Sequence, residues 1–282
     1  MLGQFVIALR EGLEAVLLVA VLIAYLKRSG RAGEIPYAYY GAIAALLIGF
    51  AAAFGAIAVY GGLEEEQKVI FEALASYLAV AVLTYMILWM AGKNVREEVE
   101  SKAKKKFVWG IALISFVFVV REVVETVLFL TPFAARDLYG TVLGAIAGIG
   151  LAALLSIAIV KLEYKLSLRK FFYVTSILLT FIASGLVGYG THELVEFLEE
   201  KGYESWLFEE AYSLGLDESN PLHHKGIVGG IFAVLFGYSA SMEWIRVFVQ
   251  FGYLLVFLAA VNLKYGVLST RREVKGVKEV TE

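Results

Sequence analysis

The stretch LGQFVIALREGLEAVLLVAVLIAYL, residues 2–26, decides how this chain is read. It is apolar enough and long enough to cross a bilayer, yet Arg10-Glu11-Gly12-Leu13-Glu14 sits inside it. A second such stretch, FVWGIALISFVFVVREVVETVLFLT, residues 107–131, carries Arg121-Glu122-Val123-Val124-Glu125. Both motifs have the form R-E-x-x-E. A charge at bilayer depth costs at least ~2.5–3.5 kcal/mol on insertion scales, so three charges used twice call for a function.

Composition sets the frame. Hydrophobic residues make up 60%, charged residues 18%, and the mean hydropathy is +0.74. A soluble domain carries roughly 25% charged residues, with its apolar positions broken periodically. Here whole windows are almost uncharged, which is the pattern of a polytopic membrane protein. With no cysteine in the chain, disulfides, thiolate metal sites and cysteine nucleophiles are excluded. A cleavable leader is not expected, because Arg10-Glu11 interrupts what would be its apolar region.

Seven spans are expected, over 2–26, 37–60, 69–91, 107–131, 139–160, 171–190 and 244–264, with Pro36, Pro132 and Pro221 all outside them. A Gly-rich apolar stretch at 226–240 is too short to span and reads as re-entrant or interfacial. Basic residues gather in 27–36 (Lys27, Arg28, Arg31), 92–106 (Lys93, Arg96, Lys102, Lys104, Lys105, Lys106), 161–170 and the tail. The intervening loops are poor in them, so the N-terminus lies outside and the C-terminus inside. The fold class expected is therefore an all-α integral membrane protein in the cytoplasmic (plasma) membrane.

The outer segment 191–243 is acidic, and loop 61–68 adds Glu64, Glu65 and Glu66. Such charge concentrates cations near a pore mouth, or merely keeps the loops solvated. Glu72, Glu193 and Glu196 are candidates for an outer site that admits ions. His192, His223 and His224 read as loop histidines with at most loose metal binding. Met86, Trp89, Met90 and the tyrosines read as packing or interfacial residues. Asp137 and Glu163 read as ordinary loop charges, and the Lys104-Lys105-Lys106 run as a topology signal, with no nucleic-acid partner.

Within each motif the glutamates stand at i,i+3, and the arginine and second glutamate at i,i+4, so all share one helix face. Gln4 and Ser115, seven residues before Glu11 and Glu122, extend the polar stripe. Four carboxylates against two guanidiniums leave two negative charges over, to be met by protons or by a cation. Carboxylate oxygens are hard ligands, suited to oxidised iron, Mn, Mg or Ca. Arg10 and Arg121 would balance the charge and hold the carboxylates in place. Equivalent placement of the motifs in helices 1 and 4 suggests a 3+3 inverted repeat, 1–91 and 107–190, followed by a seventh helix (244–264) and a cytoplasmic tail (265–282).

The motif pair, with Glu72 opening helix 3, Trp89-Met90 near its end, Tyr189-Gly190-Thr191-His192-Glu193-Leu194 after helix 6 and Phe236-Gly237-Tyr238 before helix 7, resembles the oxidase-dependent high-affinity iron permeases, also called the iron/lead transporter family. The resemblance covers essentially the whole chain. It implies iron uptake, with Glu11, Glu14, Glu122 and Glu125 as ligands, the iron ion as transported substrate and no permanently bound cofactor. It also implies a separate extracytoplasmic oxidase or iron-delivery protein, since the chain lacks the large N-terminal domain of some relatives. Carriage of another cation such as Mn or Pb is the alternative reading. A membrane enzyme using the carboxylates as an acid/base pair is a weaker one, for no nucleophile or cofactor motif accompanies them.

Overall fold

The computed structural model describes residues 2–90, 103, 108–161, 168–217, 220–223 and 227–280. Among them are seven helices of 24 residues or more: α1 (Leu2–Arg28), α2 (Ile35–Gly61), α3 (Glu65–Met90), α4 (Val108–Arg136), α5 (Leu138–Lys161), α6 (Leu168–Glu200) and α8 (Trp244–Val280). One shorter helix, α7 (Ile227–Phe236), lies between the last two. Length and composition suit α2, α3, α5, α6 and α8 to crossing a membrane. Helices α1 and α4 are as long, but each carries the three charges of its motif. Long helices are what a bilayer demands, because only they satisfy every backbone group within the segment.

The fold is mostly helical, as expected of an all-α membrane protein, with one small addition: two short strands, β1 (Glu210–Ser213) and β2 (Ser241–Glu243), pair antiparallel. Several expectations are corrected. Helix α4 runs through Pro132 instead of stopping before it. The proline removes a single backbone donor near the helix end, a modest loss in so long a helix. Helix α6 continues to Glu200, which puts His192, Glu193 and Glu196 on the helix rather than in a loop. Glu72 is two turns inside α3, not at its opening. The stretch 226–240 does form a short helix, α7, which ends at Gly237 with φ +66°. His223 is buried rather than a surface histidine. Asp137 is more than a loose loop charge, because its Oδ1 accepts from the Gly140 amide at 2.8 Å and caps the start of α5. His224, Glu163 and Lys104-Lys105-Lys106 lie outside the described residues.

The chain divides into two compact units that interleave in sequence. The first comprises 1–71 with 94–166, and the second 72–93 with 167–282. In the first unit, α1 packs mainly on α5 and α2 mainly on α4, while α1 and α4 meet each other. Each main contact is made by a line of small residues. On α2 the buried line is Ala38, Gly41, Ala45 and Gly49. On α5 it is Thr141, Gly144, Gly148 and Ala152. A Cβ on Gly41 would lie 2.1 Å from the Ala112 carbonyl oxygen of α4. One on Gly148 would lie 2.5 Å from the Phe5 carbonyl oxygen of α1. Backbones approach this closely only where side chains are missing.

Burial repeats between α1 and α4. Gly3, Gln4, Ile7, Ala8, Glu11, Leu18 and Leu22 are buried on α1, and Ile114, Ser115, Phe118, Val119, Glu122, Phe129 and Phe133 at the matching positions of α4. The polar pins match as well. Gln4 Nε2 donates to Thr141 Oγ1 at 3.5 Å, and Ser115 Oγ to the Ala38 carbonyl at 2.7 Å.

The second unit holds α7 by its end. Gln250 Nε2, from α8, donates to the carbonyls of Phe236 and Gly237 at 3.0 and 3.2 Å, closing the C-terminus of the short helix. Gly237 meets Gly185 of α6, where a Cβ on Gly237 would stand 2.5 Å from the Gly185 Cα.

Gly148→Ala is expected to lower the thermal midpoint of the detergent-solubilised protein, because overpacking against backbone costs about 1–3 kcal/mol. Gly150→Ala, whose added Cβ meets nothing within 4 Å, is expected to leave it unchanged or raise it slightly. Differential scanning fluorimetry compares the two directly.

Candidate metal centre

Both motifs fall within the first unit, on the seam between α1 and α4. Arg10 is fully buried, and its guanidinium holds both carboxylates of its own helix: Nη1 to Glu11 Oε1 at 2.7 Å and Nη2 to Glu14 Oε1 at 2.9 Å. On α4, Arg121 Nε reaches Glu125 Oε1 at 2.8 Å and lies 4.0 Å from Glu122 Oε1. The second clamp is looser and more open, with the Arg121 side chain 35% exposed against 0% for Arg10. Each of these ion pairs stays within one helix, as the i,i+4 and adjacent spacings dictate.

Across the seam carboxylates face one another, and each arginine also stands in the field of a carboxylate of the other helix, Arg10 in that of Glu122 and Arg121 in that of Glu14. Glu11, Glu14 and Glu122, all buried, each offer a carboxylate oxygen, and these oxygens lie within 4.8 Å of one another. Two unit charges at that separation repel by about 3.5 kcal/mol at an effective dielectric of 20. Glu11 Oε2 and Glu122 Oε2 are buried without a hydrogen-bond partner. Buried carboxylate oxygens held together and left unsatisfied form a donor set that a hard cation satisfies. Glu125 stands outside this group of three, with Oε1 on Arg121 and Oε2 buried and unbonded.

The outer candidates lie in the second unit. The Tyr189 hydroxyl of α6 donates to the Glu72 carboxylate of α3. One turn along α6, Glu193 stands in the field of both Glu72 and Glu196, and Glu196 is exposed. His192 Nδ1 bonds Glu243 Oε1 of β2 at 2.7 Å. Burial pushes the Glu243 carboxyl up, but the hydrogen bond and charge of His192 and the nearby Arg246 guanidinium more than offset it, leaving it below the ordinary carboxylate value. Met86 is buried as expected of packing. Sequence reasoning missed the small-residue lines of α2 and α5, although Gly41-x-x-x-Ala45-x-x-x-Gly49 and Gly144-x-x-x-Gly148-x-x-x-Ala152 are visible once both are aligned. It also passed over Gln250 and Arg246, whose buried polar groups lie just inside an apolar span.

Comparison with known proteins agrees with this architecture. The profile of the Iron permease FTR1 family matches residues 1–263. An uncharacterized protein of Archaeoglobus fulgidus is 65% identical over 274 residues, covering 97% of this chain and 99% of its own. The ferrous iron permease EfeU of Yersinia pestis is 30% identical over 264 residues, covering 90% and 91%. EfeU of Escherichia coli O157:H7 is 28% identical over 272 residues, covering 93% and 96%. No solved structure matches the chain. A match that spans both charged motifs and nearly all of the long helices assigns this membrane protein, a permease and not an enzyme, to the Iron permease FTR1 family.

Proposed function

We propose that this protein imports iron across the cytoplasmic membrane through the α1–α4 seam. Glu11, Glu14 and Glu122 are the primary ligands in this reading, Glu125 joins them as the ion moves, and Arg10 and Arg121 set the charge. The observation that carries it is the convergence of three buried carboxylates from two helices, within 4.8 Å, with two oxygens left unbonded. The names of the EfeU relatives favour Fe(II) as the transported form. All seven long helices span the membrane, N-terminus outside, with helices 1–3 and 4–6 as inverted repeats. The matched burial of α1 and α4 and the basic inner loops support that topology.

The chemistry follows from charge. The empty site carries more negative charge than its arginines neutralise, so it is stable only with protons on some carboxylates. An arriving cation replaces those protons and takes their place as the neutralising charge. A turn of apolar residues precedes the motif on each helix, Ile7 and Ala8 before Glu11, Phe118 and Val119 before Glu122, all buried. These would close the seam to water while the ion is held. Glu72, Glu193 and Glu196 act as an outer site that gathers ions. A separate oxidase or iron-delivery protein belongs to the same reading, and uptake by the purified chain alone would show it to be dispensable.

Purified protein in liposomes is expected to take up Fe(II), and Glu14→Ala or Glu122→Ala to lower uptake at least about tenfold, the loss of one charged ligand being worth more than 1.4 kcal/mol. Uptake that survives both substitutions would reduce the motifs to helix clamps. Mn, Ca and Pb run as competitors decide the ion, since a carboxylate set accepts other hard cations too. Iron affinity, measured on detergent-solubilised protein, is expected to fall as the medium is acidified from about pH 7 to about pH 5, because protons compete for the same oxygens.

A further inference from the structure

Gln4 is 2% exposed, and its side chain is only half satisfied. Nε2 is tied to Thr141 Oγ1 on α5, at 3.5 Å. Oε1 is buried and has no hydrogen-bond partner. A buried carbonyl oxygen without a donor is costly, and one kept in a native fold calls for an explanation. The matching position on α4 shows what a satisfied pin looks like: Ser115 is spent on the Ala38 carbonyl at 2.7 Å. The two ends of the seam therefore differ, and the difference is one unbonded oxygen.

Position gives that oxygen a use. Seven residues of α-helix are about 10 Å of rise and nearly two full turns, so Gln4 lies on the face of α1 that carries Glu11, toward the helix start. Between them stand Ile7 and Ala8, both fully buried. We propose that Gln4 is a waypoint of the ion path, its amide oxygen serving as a neutral ligand for the iron ion on the side of the carboxylates where α1 begins. An amide oxygen is hard enough to replace a water of the ion but brings no charge. The ion is held there loosely and moves on to the carboxylates. Thr141 fixes which way the amide turns, keeping the two hydrogens on α5 and the oxygen off it.

This inference rests on the iron-permease reading, and the experiment separates the two. Fe(II) uptake is measured in liposomes holding wild type, Gln4→Leu, Gln4→Glu or Thr141→Val, with equilibrium Fe(II) binding measured on each in detergent. Gln4→Leu is expected to lower uptake about tenfold while binding at the carboxylates stays within about twofold of wild type. Gln4→Glu is expected to lower both the half-saturating iron concentration and the maximal rate, since a charged ligand holds the ion longer. Thr141→Val, which removes the pin but keeps the oxygen, is expected to stay within about threefold of wild type. Equal losses in Gln4→Leu and Thr141→Val would overturn the proposal in favour of a helix pin. Wild-type rates in Gln4→Leu would overturn it outright and leave the permease reading standing. Absence of uptake by wild type, with no iron bound, would overturn both.

Discussion

Three carboxylates brought together out of water cannot all stay charged without something positive between them. The arginines meet part of that demand, each in an ion pair along its own helix and in the field of a carboxylate on the other, but three carboxylates still converge between the helices. On the proposed reading, that remainder is what a cation in the seam would neutralise.

The surrounding packing keeps this arrangement in place. Small-residue lines on α2 and α5 let the charged helices α4 and α1 be gripped backbone to backbone, with little side-chain freedom between. The approach is close at both Gly41 and Gly148, so each motif helix packs on a neighbour through backbone contact. The two motif helices also meet each other, and the carboxylates of Glu11, Glu14 and Glu122 converge there. Against this matched scaffold the unequal features are conspicuous: the sealed Arg10 clamp and the open Arg121 clamp, the half-satisfied Gln4 and the fully spent Ser115.

Much of this was legible in the residues. The charged motifs stood out because bilayer depth makes charge expensive, and helical spacing alone put Arg10, Glu11 and Glu14 on one face. The long helices followed from unbroken apolar runs. Less visible was where helices stop, since α6 runs on past Gly190 through residues polar enough to read as a loop, and Pro132 looked like a boundary that α4 ignores. Hydropathy gives no sign of the β1–β2 pair, which is short and pinned by its surroundings. The exclusion of Glu125 from the tight carboxylate group was also hidden. Sequence spacing treats Glu14 and Glu125 as equivalents, yet only Glu14 joins the buried carboxylate group, and Glu125 pairs with the more exposed arginine.

The pairing of α1 with α5 and of α2 with α4 also has a bearing on how the chain is made. Neither motif helix takes its sequence neighbour as its main partner. As synthesis proceeds, α1 is made more than a hundred residues before α5, its main packing partner. Contacts of such long sequence separation form late. A chain truncated after α3 would lack both α5 and α4, the main packing partners of α1 and α2.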